Sequence, residues 1–299
     1  MATGDSIQYA GEYKLLECKI LSSTGVVARL DSIVQEINIF ENIVTQGIMV
    51  SLVIVDSNNL VMNMPIVGQE FVTLKLQTPG LREDETTIDY TENCFSVYKV
   101  GARSDIANSS QVYELSLISP ETLRNGKKRI SKSYEGEISD IFTNVMRDEK
   151  IINTNKDIHV DRTSKIKKYV APNLRPYTFI RNLSREATSF KYSNSPHYFF
   201  YETTRGYQFR VLDSLYAQPS RSRFLASEPG EIDTPSKVGN LEKDFERILS
   251  IGISQSNDTF VSGNAGMFGS SLIKYNIFHK NYETYTHNYF ENFLSRWLC

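Results

Sequence analysis

The chain has 299 residues and a mass of 34.1 kDa, which at roughly 150 residues per domain predicts about two domains and a core that folds without disulfide staples. Hydrophobic residues make up 40%, charged residues 23%, and mean hydropathy is -0.33, which excludes extensive disorder. The longest strongly apolar run, Ile48 to Val55, is far shorter than the roughly 20 residues of a membrane-spanning helix.

Net charge is 33 minus 35, or -2, so nothing draws the chain generally to phosphate backbones and nucleic acid is not an expected partner. The one basic cluster, Arg124, Lys127, Lys128, Arg129 and Lys132, sits with Asn125 and Gly126 and reads as a solvated loop. Residues Met1 to Gly11 carry neither a basic cluster nor an apolar stretch, so no secretory signal is expected and the chain should stay in the cytoplasm where it is made. Cys18, Cys94 and Cys299 are widely spaced with no CxxC pair, the pattern of incidental reduced thiols.

The first 120 residues read as β-structure. Between Val26 and Phe40 the β-branched residues are mixed with Gln35, Glu36 and Asn38, which predicts an edge or a half-exposed strand. Ile48–Val55 is apolar on both faces and predicts a central strand. In Phe71–Gln77, Val72, Leu74 and Leu76 oppose Thr73, Lys75 and Gln77, the period of a half-buried strand. Gln111–Ile118 alternates likewise, with Tyr113, Leu115 and Leu117 on one face, and Phe95–Val100 does so more loosely. Turn chemistry at Asp56 to Asn59, Pro65 to Gly68 and Pro79-Gly80 separates the runs, and five or more strands without a helix predict an antiparallel barrel or sandwich.

The period then changes. Ile138, Ile141, Phe142, Val145 and Met146 form an amphipathic helical stripe within Gly136–Lys150, with Ser133 or Ser139 as candidate caps. A second helix should start near Pro176 and bury Phe179, Ile180, Leu183 and Ala187. Tyr198–Tyr201 and Tyr207–Leu212 flank Thr203-Thr204-Arg205-Gly206, a β-hairpin with Gly206 able to take positive φ. Residues 217–245, rich in Pro, Ser and Gly, read as a linker, and strand character resumes over Arg247–Ser254.

No catalytic, cofactor-binding or metal-ligating residue is assigned. There is no GxSxG, HExxH, P-loop or EF-hand pattern; His159, His197, His279 and His287 are scattered and read as surface or structural. Glu83-Asp84-Glu85 reads as a solvated turn, and a spatial carboxylate pair for glycan hydrolysis stays open. Gly263, Gly266 and Gly269 read as a tight or flexible loop rather than a phosphate cradle. Tyr275, Phe278, Tyr282, Tyr285, Tyr289 and Phe293 could line a helix face, although the β-propensity of Tyr and Thr opposes a helix. Either way they expose aromatic surface that calls for a partner or for missing sequence.

Several strings, in order, resemble the baseplate hub subunit of T-even-type contractile-tailed phages: Glu41-Asn42-Ile43 with Gly47; Ile54 to Ser57; Met64-Pro65-Ile66-Val67-Gly68-Gln69-Glu70; Tyr113-Glu114-Leu115 to Ser119-Pro120-Glu121; Ile130 to Tyr134; Tyr169 to Asn173; Phe200-Tyr201-Glu202-Thr203 with Gly206; and Gly266-Met267-Phe268 to Leu272. The resemblance implies a non-enzymatic homotrimer in the virion baseplate, assembled in the host cytoplasm, whose two barrels per chain adapt the sixfold tail tube to the threefold central spike. The implied partners are the tail tube protein, the spike or tail-lysozyme protein and other baseplate proteins, with DNA only as passing cargo and no stable membrane insertion.

The expected class is α+β, mainly β. Its expected domains are 1–120 (first tube-type barrel), 121–216 (α+β, two helices and a hairpin), 217–245 (linker) and 246–299 (second tube-type β domain). The last is too short to close a barrel, and the ending Phe293 to Cys299 departs from the family, which suggests truncation or frameshift. The alternatives are a tail-associated glycan hydrolase and a monomeric binding or scaffold module.

Overall fold

The computed structural model describes residues 13–57, 60, 64, 66–78, 87–101, 103–107, 110–192, 195–220, 223–226, 247–248, 252 and 258–291. It divides into two compact units, Met1–Ser222 and Arg223–Cys299, and β-structure predominates, as expected.

The first unit opens with nine strands in one curled antiparallel sheet: β1 (Lys14–Leu21), β2 (Val27–Arg29), β3 (Val34–Phe40), β4 (Met49–Asp56), β5 (Phe71–Gln77), β6 (Thr87–Asp89), β7 (Phe95–Val100), β8 (Ser104–Ala107) and β9 (Ser110–Ile118). Their order is β2-β1-β5-β7-β9-β4-β3, with β6 on β5 and β8 on β9. The run Val26–Phe40 splits into β2 and β3, which occupy the two ends of this path, the edge position its polar residues predict. Only residues 30–33 join those ends, five residue steps with a reach of at most about 18 Å, so the sheet must curl. Leu30 N–H donates to Cys18 O on β1, and Val55 N–H on β4 donates to Ile33 O, so one short segment is bonded to both flanks.

The alternation holds in β4, β5 and β9 but not in β7, where Phe95, Ser96 and Val97 are all buried. Val72 and Leu74 are buried, as are Tyr113, Leu115 and Leu117, and Val50, Leu52 and Ile54. Strand β4 lies between β3 and β9, although Met49 on its other face is exposed. A register shift between Val97 and Lys99 leaves Tyr98 and Lys99 both on the exposed side, the usual effect of a bulge. Strand β1 has no counterpart in the sequence reading; only Cys18 and Ile20 of it are buried.

Helix α1 (Pro120–Lys127) follows. The basic cluster predicted as a loop thus begins inside a helix: Pro120 suits the first turn, and Arg124 donates to Ile152 O at 2.9 Å and Asn153 O at 2.7 Å. Strand β10 (Ile130–Glu137) and β12 (Ile166–Leu174) form a two-stranded ribbon, and β11 (Ile158–Val160) pairs parallel with β14 (Gly206–Val211), which forms the hairpin with β13 (Tyr198–Thr203). Helix α2 (Ile138–Arg147) buries all five residues of the predicted stripe. It is preceded by Glu137 with no side-chain cap, so neither Ser133 nor Ser139 caps it. Helix α3 (Pro176–Glu186) buries Phe179, Ile180 and Leu183 as expected, and α4 (Leu212–Tyr216) closes the unit. Phe142 stacks on Phe209 at 4.7 Å and meets Phe200 edge-on. The hydrophobic cluster of this α+β part and that of the curled sheet share no residue.

In the second unit, β15 (Leu225–Ala226) pairs with β16 (Arg247–Ile248), α5 spans Thr259–Asn264, and β17 (Gly269–Asn276) pairs with β18 (Asn281–Asn288). The aromatic repeat from Tyr275 therefore lies on a hairpin, not a helix: Tyr275 sits opposite Tyr282, and Leu272 opposite Tyr285. Beta-propensity wins over a spacing that merely imitates a helical period. Gly263 is in α5, Gly266 takes φ +81 in a turn, and Gly269 opens β17. All sixteen strand residues of the hairpin are exposed, and no closed sheet forms among the described residues of this unit. Most of the predicted strand Arg247–Ser254, and Phe293 onward, lie outside the described residues.

Candidate functional site: an ionic junction and an apolar outer row

The curled sheet and the α+β part meet through a buried charge cluster. Glu121 comes from the first turn of α1, Glu202 from β13, and Lys156 from the segment before β11. The Lys156 ammonium donates to Glu202 Oε1 at 2.6 Å and Glu121 Oε2 at 3.0 Å, with side chains only 6%, 1% and 6% exposed for Lys156, Glu202 and Glu121. The remaining oxygens are also used: Thr154 Oγ1 donates to Glu121 Oε1 at 2.9 Å, and Ile48 N–H, just before β4, donates to Glu202 Oε2 at 3.1 Å. That last bond ties the sheet to the α+β part.

Burial pushes the Glu202 carboxyl above its ordinary value, against the pull of Lys156. Burial alone would push the Lys156 ammonium down, but Glu202 and Glu121 together hold it above its ordinary value. Each charge is thus sustained by the others in a site shielded from water. Tyr207 lies 5.7 Å from the ammonium and shares a 3.0 Å hydroxyl hydrogen bond with Tyr177.

Two close approaches seat the junction. A Cβ on Gly47 would stand 2.4 Å from Thr122 Oγ1, and one on Gly206, at φ +104, would stand 2.3 Å from Asp157 O. Thr204 N–H also donates to Glu41 Oε1 at 2.7 Å. Nearby in the sheet, Glu70 is fully buried and accepts from the backbone N–H groups of Val67, Gly68 and Gln69 at 2.8–3.0 Å, which holds the turn that Gly68 enters at φ +89.

The register exposes a second feature, on the outer face. Phe40 lies opposite Met49, Met49 opposite Ile118, Ile118 opposite Ser96, Ser96 opposite Phe71, Phe71 opposite Leu21, and Leu21 opposite Val27. This row crosses seven strands. Ile118 and Ser96 in its middle are covered, whereas Phe40, Met49, Phe71, Leu21 and Val27 are 41–58% exposed. Exposed apolar side chains aligned in a row, rather than scattered, mark an interaction surface.

The scattered histidines are not brought together: His159 hydrogen-bonds Arg205 O at 3.2 Å, and among the described residues no group of three or more His, Cys, Asp or Glu could hold a metal ion. Glu121 and Glu202, which share Lys156, are closed to a sugar by their burial and by that ammonium. Glu83-Asp84-Glu85 and Cys299 lie outside the described residues. Burial, with the nearby Asp31 charge, pushes the Cys18 thiol up to about 12. The sequence reading gave the junction no role. Its one legible signal is Glu202, in phase with the buried Tyr198 and Phe200 along β13, since a carboxylate in an inward register needs a partner.

No protein-family model matches the chain, and no curated protein matches it. Among solved structures it is similar to the 43 kDa tail protein of prophage MuSo2 from Shewanella oneidensis, at 10% identity and TM-score 0.47 over 71% of this chain and 56% of that one. It is also similar to a tail protein from Neisseria meningitidis MC58, at 10% identity and TM-score 0.45 over 73% and 55%. The third is the E. coli c3393 protein, a type VI secretion component described as structurally similar to T4 phage tail proteins gp27 and gp5, at 10% identity and TM-score 0.36 over 66% and 48%. The chain spans about half the length of each of these proteins.

Proposed function

We propose that the chain is a non-enzymatic structural subunit of the baseplate hub of a contractile injection tail, resident in the virion. Three copies close a ring that adapts the sixfold tail tube to the threefold central spike, with the tube protein, the spike or tail-lysozyme protein and other baseplate proteins as neighbours and DNA as passing cargo. The domain division that goes with this reading is 1–120 and 246–299 as tube-type β domains, 121–216 as the α+β insertion and 217–245 as the linker.

One observation carries the reading. Glu41, Gly47, Glu121, Glu202 and Gly206 belong to three of the strings that resemble the hub family, and these strings are spread over some 160 residues of sequence. The fold draws them to one junction, through the Ile48–Glu202, Thr204–Glu41 and Lys156 bonds and the Gly47–Thr122 approach. Chance similarities at separate places have no reason to meet there. The aligned apolar row supplies a surface for neighbours, and closed cyclic symmetry is the ordinary way for identical chains to cover such a surface.

The test is native mass by light scattering over a range of concentrations. The expected mass is three times 34.1 kDa, about 102 kDa. Leu21→Glu and Phe71→Glu, at exposed positions of the row outside the cleft around Met49, should return the mass to that of one chain while leaving the circular dichroism spectrum unchanged. A monomer at every concentration, alone and with the spike protein added, overturns the assembly.

A further inference from the structure

A cleft of about 310 Å³ opens where the start of β4 faces the N-terminal end of α3, within the size range of ligand-binding clefts. One wall is apolar, with Val44, Met49 and Ile118. The other carries Asn125, Arg175, Thr178 and Arg181, and none of the twelve lining residues is Asp or Glu. Arg175 and Arg181 are both exposed, and among the described residues neither guanidinium takes part in a hydrogen bond or an ion pair. The arrangement is therefore one-sided: two unpaired cations share a cleft with hydroxyl and amide donors, and no anion answers them. The first turn of α3 contains no acidic residue, and its Tyr177 N–H already donates to Asn125 Oδ1 at 2.8 Å, so the two guanidiniums rather than the helix end supply the positive charge of the cleft.

We propose that this cleft receives an acidic, aliphatic segment of a partner polypeptide. A carboxylate sits between the Arg175 and Arg181 guanidiniums, which match its two oxygens in a planar fork. An adjacent aliphatic side chain lies against Val44 and Met49. Charge complementarity selects the anion, and the apolar wall selects a peptide over a nucleic acid. A duplex binder gains its affinity from many phosphate contacts along a basic face, whereas here two arginines stand beside exposed aliphatic carbon on a chain whose net charge is -2. The assignment does not depend on the hub reading, because it follows from the cleft alone.

The test is selection of a displayed library of random heptapeptides on the full-length chain, in parallel with selection on the R175E/R181E variant. Both side chains are exposed, so this variant should keep the wild-type circular dichroism spectrum and melting temperature. The expected winners on the wild type combine Asp or Glu with Leu, Ile, Val or Met. Synthesised with a fluorescent label, they should bind R175E/R181E at least about tenfold more weakly, keep most of their affinity for R175K/R181K, and weaken as salt rises from about 0.05 to 0.3 M. Recovery of no peptide, winners without acidic enrichment, or equal affinity for R175E/R181E overturns the proposal. A DNA duplex of about 20 base pairs that binds through these arginines while no peptide is selected also overturns it, in favour of a phosphate backbone as the occupant.

Discussion

Replacing Lys156 with Met removes the one cation that two buried carboxylates share. Glu202 and Glu121 are 1% and 6% exposed, so neither can turn to water without opening the junction. Removing one partner of a buried ion pair costs about 3–5 kcal/mol, against a total stability of about 5–15 kcal/mol. For a unit of this size each kcal/mol lowers the melting temperature by about 2–4 °C, so K156M should melt about 6–20 °C below wild type at neutral pH.

The pH dependence has a definite sign. The folded value of Glu202 is already raised by burial, so folding disfavours its ionised form, and that cost is relieved as pH falls through the folded value. Without the pull of Lys156 the value rises further, so the deficit of K156M should shrink between about pH 8 and pH 5. Lys156 behaves in the opposite sense. Its folded value is raised, so its contribution in wild type is fully present below the ordinary lysine value of about 10.4 and fades only as pH climbs through the folded one. Chemical denaturation of K156M and of K156M/E202Q, each against wild type, checks both points, and the double variant should recover part of the loss. A deficit below about 1 kcal/mol at pH 7, or one of equal size at pH 5 and pH 8, would refute the reasoning.

Gly206→Ala places a Cβ 2.3 Å from Asp157 O at φ +104 and should cost more than about 2 kcal/mol by denaturant titration, whereas Gly126→Ala, in α1 with nothing within 4 Å, should stabilise by about 0.5 kcal/mol. Leu74→Asp puts an unpaired charge where exposure is 0% and should prevent folding. Lys75→Glu, on the opposite face in a surface pair with Asp89, should change stability by no more than about 1 kcal/mol, and equal damage from both would contradict the face assignment. The Cys18 thiol, buried and pushed up to about 12, should react with iodoacetamide at pH 8 only at the rate of unfolding; fast labelling in the native state would contradict its burial.

What the sequence discloses depends on whether a residue announces its environment through its neighbours. Helix α2 is readable because five apolar residues repeat with one period over a single stretch, and β9 because Tyr113, Leu115 and Leu117 alternate without exception. Strand β1 is hidden because Lys14, Glu17 and Lys19 interrupt it, and the ladder to β5, residues 71–77, is what makes it a strand. The hairpin at 269–288 shows the reverse fault: steps of three and four between aromatics suggest a helix, but backbone propensity and cross-strand pairing decide. At the junction, Glu202 is readable from its inward phase, whereas Lys156 stands in no periodic segment and finds its partners 35 and 46 residues away. The outer row is invisible in sequence, because its members are neighbours only through register.

The junction also orders events in time. The two hydrophobic clusters share no residue, so each can collapse on its own, the α+β one around the tight β13–β14 hairpin, the sheet by the slower pairing of β4 with β9 some 60 residues apart. The Ile48–Glu202 bond closes a separation of 154 residues, and the carboxylate it needs is desolvated only when both surfaces are already shaped. Collapse of each half before docking is the expected order, and refolding should show a late phase that is slower in K156M, where two shaped halves must close over carboxylates with no lysine between them.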